Sequence, residues 1–148
     1  MAGSYKAVRA TGSAEEALAD AVEACESLAG ECRDAAANFP SDAHPKAQAF
    51  EEAADRLEDA VSYLQDVDLE VDGAPDLPEL SWFRQVPRRR AHHPSKASRL
   101  ENARAAAVAL EDTICAVESA AEGWAHSVAS INGAVEAMDA VEFPGMFG

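Results

Sequence analysis

Cysteine offers the most reactive side chains in this sequence, and three cysteines occur. Cys25 and Cys32 lie seven residues apart, a spacing that places both on one face of a helix, and Cys115 is a candidate to face them. Zinc sites normally pair ligands two to four residues apart, and no two cysteines here have that spacing. The spacing therefore favours small apolar core thiols, and no metal ligand is assigned.

Catalytic signatures are also missing from the sequence. Glu122 and His126 lie four residues apart and are candidates to share a metal, but a surface pair is the simpler interpretation. No serine or cysteine lies in a glycine-flanked elbow, and no glycine-rich phosphate loop is present. We therefore predict no catalytic residue, no metal and no cofactor, and a protein that is not an enzyme.

Positive charge is concentrated in one segment of an acidic chain. The formal net charge is −15, yet residues 81–104 carry seven bases and one acid. Arginine clusters bind phosphate or carboxylate through bidentate contacts. Three alternatives stay open: pairing with acids of this chain or of a neighbouring copy, nucleic-acid binding, and a solvated loop. The candidate partner-binding or anion-binding residues are Arg84, Arg88, Arg89, Arg90, Lys96, Arg99 and Arg104.

The C-terminal tail, residues 142–148, is a second candidate contact. It contains Phe143, Met146 and Phe147, and its proline and glycine cannot continue a helix. Exposed apolar segments seldom persist without a partner, so these three residues form a candidate docking tail. The alternative is that the tail folds back and covers one end of the helices, as Tyr5 would do from the N-terminal arm.

The elements that position these residues read as helices. Residues 1–12 are small, polar and glycine-punctuated, which is typical of an arm. Ser13 and Glu16 form a capping box, which predicts helix 1 over residues 13–39 with apolar positions alternating in steps of four and three. Pro45 is compatible only with a first turn, which predicts helix 2 over residues 44–67. The short connection predicts an antiparallel hairpin.

The second half of the chain reads as a connector and one long helix. Residues 68–94 contain one glycine and four prolines; residues 68–72 alternate as a strand would, but no partner strand is evident. From residue 95 to 141 the heptad register is unbroken, which predicts a single third helix, with Gly123 or Gly133 as the candidate bend.

Together these elements predict an all-α fold in one domain, residues 1–148. It consists of an antiparallel helical hairpin and one long third helix, as a three-helix or coiled-coil-like bundle, with an irregular connector and extended terminal arms. The third helix would be about 70 Å long at 1.5 Å per residue and would overhang the hairpin. Its uncovered seam predicts a homo-oligomer or a larger assembly.

No apolar run approaches the roughly 20 residues that a bilayer requires, and the N-terminus lacks the apolar stretch of a signal peptide. We therefore expect a protein of the cytoplasm or of a virion-like assembly, without a membrane partner. The leading hypothesis is a non-enzymatic structural subunit that self-associates or docks into a larger complex, such as a phage or virion structural protein. One alternative is an acidic inhibitor or counter-defence protein that mimics nucleic acid. A second is nucleic-acid binding through residues 84–104.

Overall fold

The computed structural model describes residues 5–41, 43–70, 76–88, 95–117 and 121–144, and only the backbone of residues 121–123. Within these ranges the chain forms four helices and two strands. In chain order they are β1 (Tyr5–Gly12), α1 (Ala14–Ala37), α2 (Pro45–Gln65), β2 (Leu80–Pro87), α3 (Lys96–Cys115) and α4 (Ala121–Asp139).

A two-stranded antiparallel sheet makes the prediction of an all-α fold wrong. β1 lies where an N-terminal arm is expected, and β2 lies in the expected irregular connector. The two strands pair over their whole length, from Tyr5 opposite Pro87 to Gly12 opposite Leu80. We call this pair of strands, Tyr5–Gly12 and Leu80–Pro87, the ribbon.

The first two helices form an antiparallel hairpin, and both begin at the residues that sequence signals indicate. The Ser13 hydroxyl accepts the Glu16 backbone N–H at 3.2 Å, which caps α1. His44 caps α2, because its Nδ1 accepts the Lys46 N–H at 3.1 Å, and Pro45 occupies the first turn. The His44 ring also stacks on Phe39, with centroids 4.6 Å apart, which fastens the turn between the helices.

The predicted long third helix is two helices. α3 ends at Cys115, where the backbone N–H of Ala116 bonds back to the Asp112 and Ile114 carbonyls. α4 then packs on α3. Arg104 Nε lies 2.7 Å from Asp139 Oδ1, although the two residues are 35 positions apart. That separation would be about 50 Å along one continuous helix, so α3 and α4 form a second antiparallel hairpin.

Neither candidate bend glycine interrupts a helix, because Gly123 and Gly133 both lie inside α4. Gly133 instead permits a close approach between helices. A Cβ on Gly133 would lie 2.7 Å from the Tyr63 ring of α2, so only glycine leaves the ring its position.

The two hairpins pack as a four-helix bundle. α1 contacts α2 and α3, while α4 contacts α2 and α3. The contacts of Arg99 with Glu31 and of His126 with Asp66 each join the start of one helix to the end of another, so α3 runs antiparallel to α1, and α4 antiparallel to α2. α2 and α3 are therefore parallel and diagonal, and the segment between them must cross the bundle. β2 lies on that crossover, which is why the ribbon packs against α3.

The core is built largely from alanine, with a few larger side chains. The larger ones that are essentially inaccessible to solvent include Leu28, Leu57, Leu64, Leu110, Ile131, Met138 and Trp124. Because both hairpins share this core, much of the heptad seam expected on an overhanging third helix is buried inside the chain. Among the described residues, no helix combines the length and the apolar character that a bilayer crossing requires.

Burial separates the three thiols, which gives a direct test of the fold. Cys25 and Cys32 are buried in α1, and Cys115 is exposed at the end of α3. Burial raises the pKa of Cys25 to about 12 and also raises that of Cys32, which suppresses the reactive thiolates.

We expect one rapid equivalent of thiol labelling in the native protein, at Cys115, and two more after denaturation. Peptide mapping identifies the site, and rapid native labelling of Cys25 would contradict the placement of α1.

Candidate docking surface

The ribbon is held on the bundle by apolar side chains from its inner face. Trp82 and Leu80 are each 6% exposed, and Ala10, directly opposite Trp82, packs against the same core. An isolated two-stranded sheet is only marginally stable in water. These three residues supply the burial that keeps the ribbon folded.

Polar contacts then fix one edge of β2 to α3. The Gln85 N–H donates to Asn102 Oδ1 at 2.7 Å, and Asn102 Nδ2 donates to the Gln85 carbonyl at 3.1 Å. The Asn102 amide thus substitutes for a neighbouring strand. The Gln85 side chain adds a third bond, since its Oε1 accepts the Ser98 hydroxyl at 3.2 Å. At this edge of the ribbon, α3 therefore satisfies both backbone polar groups of Gln85.

The far end of the ribbon is tied to the start of α3 by Tyr5. Its phenolic oxygen accepts the backbone N–H of Ser95, the capping residue of α3, at 3.1 Å. Hydrogen bonding to Ser95 lowers the pKa of Tyr5. The Tyr5 carbonyl accepts Arg88 Nε at 3.3 Å. Tyr5 therefore folds back onto the bundle, as the alternative for the arm proposes.

The outer face of the ribbon exposes an aromatic ring to solvent. Phe83 is 62% exposed, the highest value among the large hydrophobic residues described. Its cross-strand partner Arg9 places its guanidinium carbon 5.8 Å from the ring centroid, a cation–π contact. Val8, 40% exposed, lies on the other face of β1, the face that also carries Ala10. A stretch of ordered backbone therefore displays an apolar ring with a basic neighbour.

Two of the predicted anion-binding arginines are occupied by acids of this chain. Arg99 makes a bidentate contact with Glu31, with Nη1–Oε1 at 2.8 Å and Nη2–Oε2 at 2.5 Å, and its Nη2 also reaches the Ser27 hydroxyl at 3.3 Å. The hydrogen bond between Arg99 and Glu31 raises the pKa of Arg99 and lowers that of Glu31. Arg104 pairs with Asp139 in the same bidentate manner. Both arginines join helices.

The other basic candidates have different surroundings. Arg84 is exposed at the wall of a cleft of about 500 Å³ between α1, β2 and α3, which Asp20 and Glu23 of α1 also line. Arg88 is exposed and contacts Tyr5, and Lys96 is half-buried in the first turn of α3. Arg89 and Arg90 lie outside the described residues. Of the five candidates that the structure describes, Arg84 and Arg99 line the same cleft, while Arg99 and Arg104 are paired with acids of this chain.

The tail is placed only in part. Phe143 is half-buried against the core, beside Leu100 and Met138, where the first turns of α3 lie next to the last turn of α4. Met146 and Phe147 lie outside the described residues. For Phe143 the fold-back arrangement is the one that the structure contains.

No group of three potential metal ligands comes together among the described residues. His126 Nε2 lies 3.2 Å from Asp66 Oδ2, and both side chains are exposed. The cleft beside Arg84 is lined by charges of both signs, Arg84 and Arg99 together with Asp20 and Glu23. The surface with the clearest capacity for contact is the ribbon.

The chain has been compared with family models, curated proteins and solved structures. No match is found in any of the three comparisons.

The sequences of both ribbon strands contain residues that favour β-structure, although neither segment is recognisable as a strand from its neighbours alone. Tyr5, Val8 and Thr11 in β1 and Trp82, Phe83 and Val86 in β2 are the β-branched and aromatic residues typical of strands. The strands are separated by the whole α1/α2 hairpin, so neither segment shows a nearby partner. Only the paired structure reveals that Arg9 and Phe83 share one site.

Unbalanced acidity on the helices predicts a salt effect on stability. Arg33 pairs with Glu51, Asp55 and Glu58, the last two through hydrogen bonds that raise its pKa, but the chain has 27 acids and 12 bases. Because added salt screens repulsion between the remaining carboxylates, we expect the melting temperature to rise as NaCl increases to about 0.5 M. Calorimetry at several NaCl concentrations measures this, and a flat or falling curve would mean that the acids are better paired.

Proposed function

We propose that this protein is a non-enzymatic structural subunit that docks into a larger protein assembly through its ribbon. The observation that carries the proposal is the exposure of Phe83 on the ordered strand β2 beside Arg9. An aromatic ring with an adjacent arginine is the composition enriched at the centres of protein interfaces. Phage or virion particles and multisubunit complexes of the cytoplasm are settings in which such a subunit would work.

The hairpin of α3 and α4 removes the reason for self-association that the sequence suggested. An overhanging third helix would require a second copy to cover it, but α3 and α4 cover one another in a hairpin. Docking by the ribbon needs no uncovered helix. Assembly with further copies of the same chain remains part of the proposal, and the mass of the purified protein distinguishes it from docking onto a different protein.

The test is to compare two exposed aromatic residues on different elements. Phe83 lies on the ribbon, whereas Tyr63, 46% exposed, lies on α2. We expect Phe83→Ser to weaken the native complex at least about tenfold, as loss of a central aromatic contact does, and Tyr63→Ser to leave it intact. Sedimentation velocity of the complex isolated from its natural source measures both. Equal behaviour of the two variants, or a monomer as the only native species, would refute docking through the ribbon.

A second candidate function is mimicry of nucleic acid by an acidic face. Six carboxylates that favour it are exposed on α1 and α2: Glu15, Glu16, Glu23, Glu26, Glu52 and Asp59. Such a surface would fit a basic cleft that normally holds DNA or RNA. Reversing Glu15, Glu23 and Glu26 to lysine should abolish capture of a nucleic-acid-binding protein if this function applies. Binding that does not respond to salt would argue against it.

A further inference from the structure

The two edges of the ribbon differ in their hydrogen bonding. Both backbone polar groups of Gln85 point toward Asn102 and away from β1. In an antiparallel pair, two residues directly opposite each other either hydrogen-bond to each other through both backbone groups or point both groups away from the partner strand. Ala7 is opposite Gln85, so its N–H and carbonyl also point away from β2. The same alternation applies two residues further along, at Arg9 and Thr11. These three residues present their backbone groups at the outer edge of β1.

The position of Pro87 is consistent with this alternation of backbone directions. It lies two residues beyond Gln85 and opposite Tyr5, at a position where the backbone nitrogen faces away from β1. Proline has no N–H, so it is tolerated in a strand only where no ladder bond is required. By the same alternation the Tyr5 carbonyl points away from β2, and it accepts a hydrogen bond from Arg88 Nε.

The outer edge of β1 is open in the part of the chain that the structure describes. The sheet has two strands, and β1 has no strand on its second side. Residues 6–9 and Thr11 are all exposed. An exposed strand edge of this length is a template for a further strand, and proteins that do not use such an edge usually shorten, twist or cover it.

Charge identifies the kind of strand that would fit. The two strands contain Lys6, Arg9 and Arg84 and no acid, within a chain of net charge −15. A second copy of β1 would add two more positive charges to this basic edge, and in a parallel, in-register pairing Lys6 and Arg9 would lie directly opposite their own equivalents, which is destabilising. An extended segment with acidic side chains would bring opposite charges together instead.

We propose that the outer edge of β1 binds an extended acidic segment of a partner protein as a third strand of the sheet. The backbone groups of Ala7, Arg9 and Thr11 supply the ladder. Lys6 and Arg9 lie three residues apart, on opposite faces of β1, so they select one acidic side chain on each face of the partner strand. This inference rests on the proposed docking function and names the chemistry of the partner segment. It does not require Phe83 to be the principal contact.

The first test uses the unmodified chain and a synthetic peptide as long as β1, which carries two glutamates three positions apart among valine and threonine. Free protein should exchange the amide hydrogens of Ala7, Arg9 and Thr11 quickly and those of Val8 and Ala10 slowly, because the latter face β2. Saturating peptide should slow exchange at Ala7, Arg9 and Thr11. Unchanged exchange at these three amides, or the same protection with a peptide that carries lysine in place of glutamate, would overturn the proposal.

The second test removes one edge donor. Ala7→Pro deletes an N–H that faces outward and leaves the bonds between β1 and β2 in place, whereas Ala7→Ser keeps the donor. We expect the acidic peptide to bind Ala7→Pro about tenfold more weakly than Ala7→Ser, and to bind both more weakly as salt increases. Equal affinity for the two variants in calorimetry would refute strand addition.

These results are separable from the docking test. Peptide binding is measured on the isolated chain, so failure of the peptide to bind overturns the edge proposal and leaves the comparison of Phe83 with Tyr63 unaffected. If the peptide binds but Phe83→Ser leaves the native complex intact, the outer edge of β1 is retained and the Phe83 face is rejected.

Discussion

Replacement of Trp82 by alanine is expected to lower the free energy of unfolding by about 3–5 kcal/mol, because the indole ring is the largest anchor of the ribbon and its removal leaves a cavity. Urea unfolding followed by circular dichroism measures the loss. Release of the ribbon before global unfolding would appear as faster hydrogen exchange at the β1 and β2 amides that pair with each other.

The neighbouring aromatic residue is the matched control. Phe83 points to the opposite face of the same strand and is largely exposed, so Phe83→Ala should change the free energy of unfolding by no more than about 0.5 kcal/mol. The pair separates the structural role of Trp82 from the contact role proposed for Phe83. If the two substitutions cost the same, the faces of β2 are assigned incorrectly.

Spin labels at Arg104→Cys and Asp139→Cys are expected to lie within about 20 Å of each other, because packed helices are about 8–10 Å apart and the labels add their own length. One continuous helix would separate them by about 50 Å. The labelled chain carries Cys115→Ser, since Cys115 is the exposed native thiol. Pulsed electron resonance measures the distance.

A second labelled pair guards against an effect of removing the Arg104–Asp139 contact. Labels at Asp112→Cys and Asn132→Cys, two exposed positions partway along the same hairpin, leave that ion pair intact. They should also be close in space, whereas 20 residues of straight helix would place them about 30 Å apart. A distance of that size in this second pair would contradict the hairpin.

The α1/α2 hairpin is predictable from sequence because its signals are local. Ser13 caps α1, Pro45 starts α2, and buried residues such as Cys25, Cys32 and Leu57 fall on the expected faces. Each of these features depends on neighbours within one or two helical turns. Local physical chemistry is sufficient there.

The division between α3 and α4 is not local. Residues 116–120 contain neither glycine nor proline, and the heptad register continues through them, so nothing in the segment forbids a helix. The chain reverses because α4 can then pack against both α2 and α3 and bury Trp124, Ile131 and Met138. Packing between helices therefore decides that this segment forms two helices, although its sequence is equally compatible with one long helix.

The ribbon was likewise beyond local prediction, since its strands are separated by 67 residues of chain between Gly12 and Leu80. Among the candidate site residues, Arg99 and Arg104 are joined to Glu31 and Asp139, which sequence position alone does not reveal. Arg9 and Phe83 become neighbours only through the pairing of β1 with β2. The proposed contact surface is therefore a product of the fold.

The central claim, that the ribbon is the docking surface, is tested most directly by crosslinking in the assembled state. A photoactivatable phenylalanine analogue replaces Phe83 in one chain and Tyr63 in another, and each chain is irradiated within its native complex. We expect abundant crosslinks to a partner protein or to a second copy from position 83, and few from position 63. Crosslinks that form from position 63 and not from position 83 would contradict the claim.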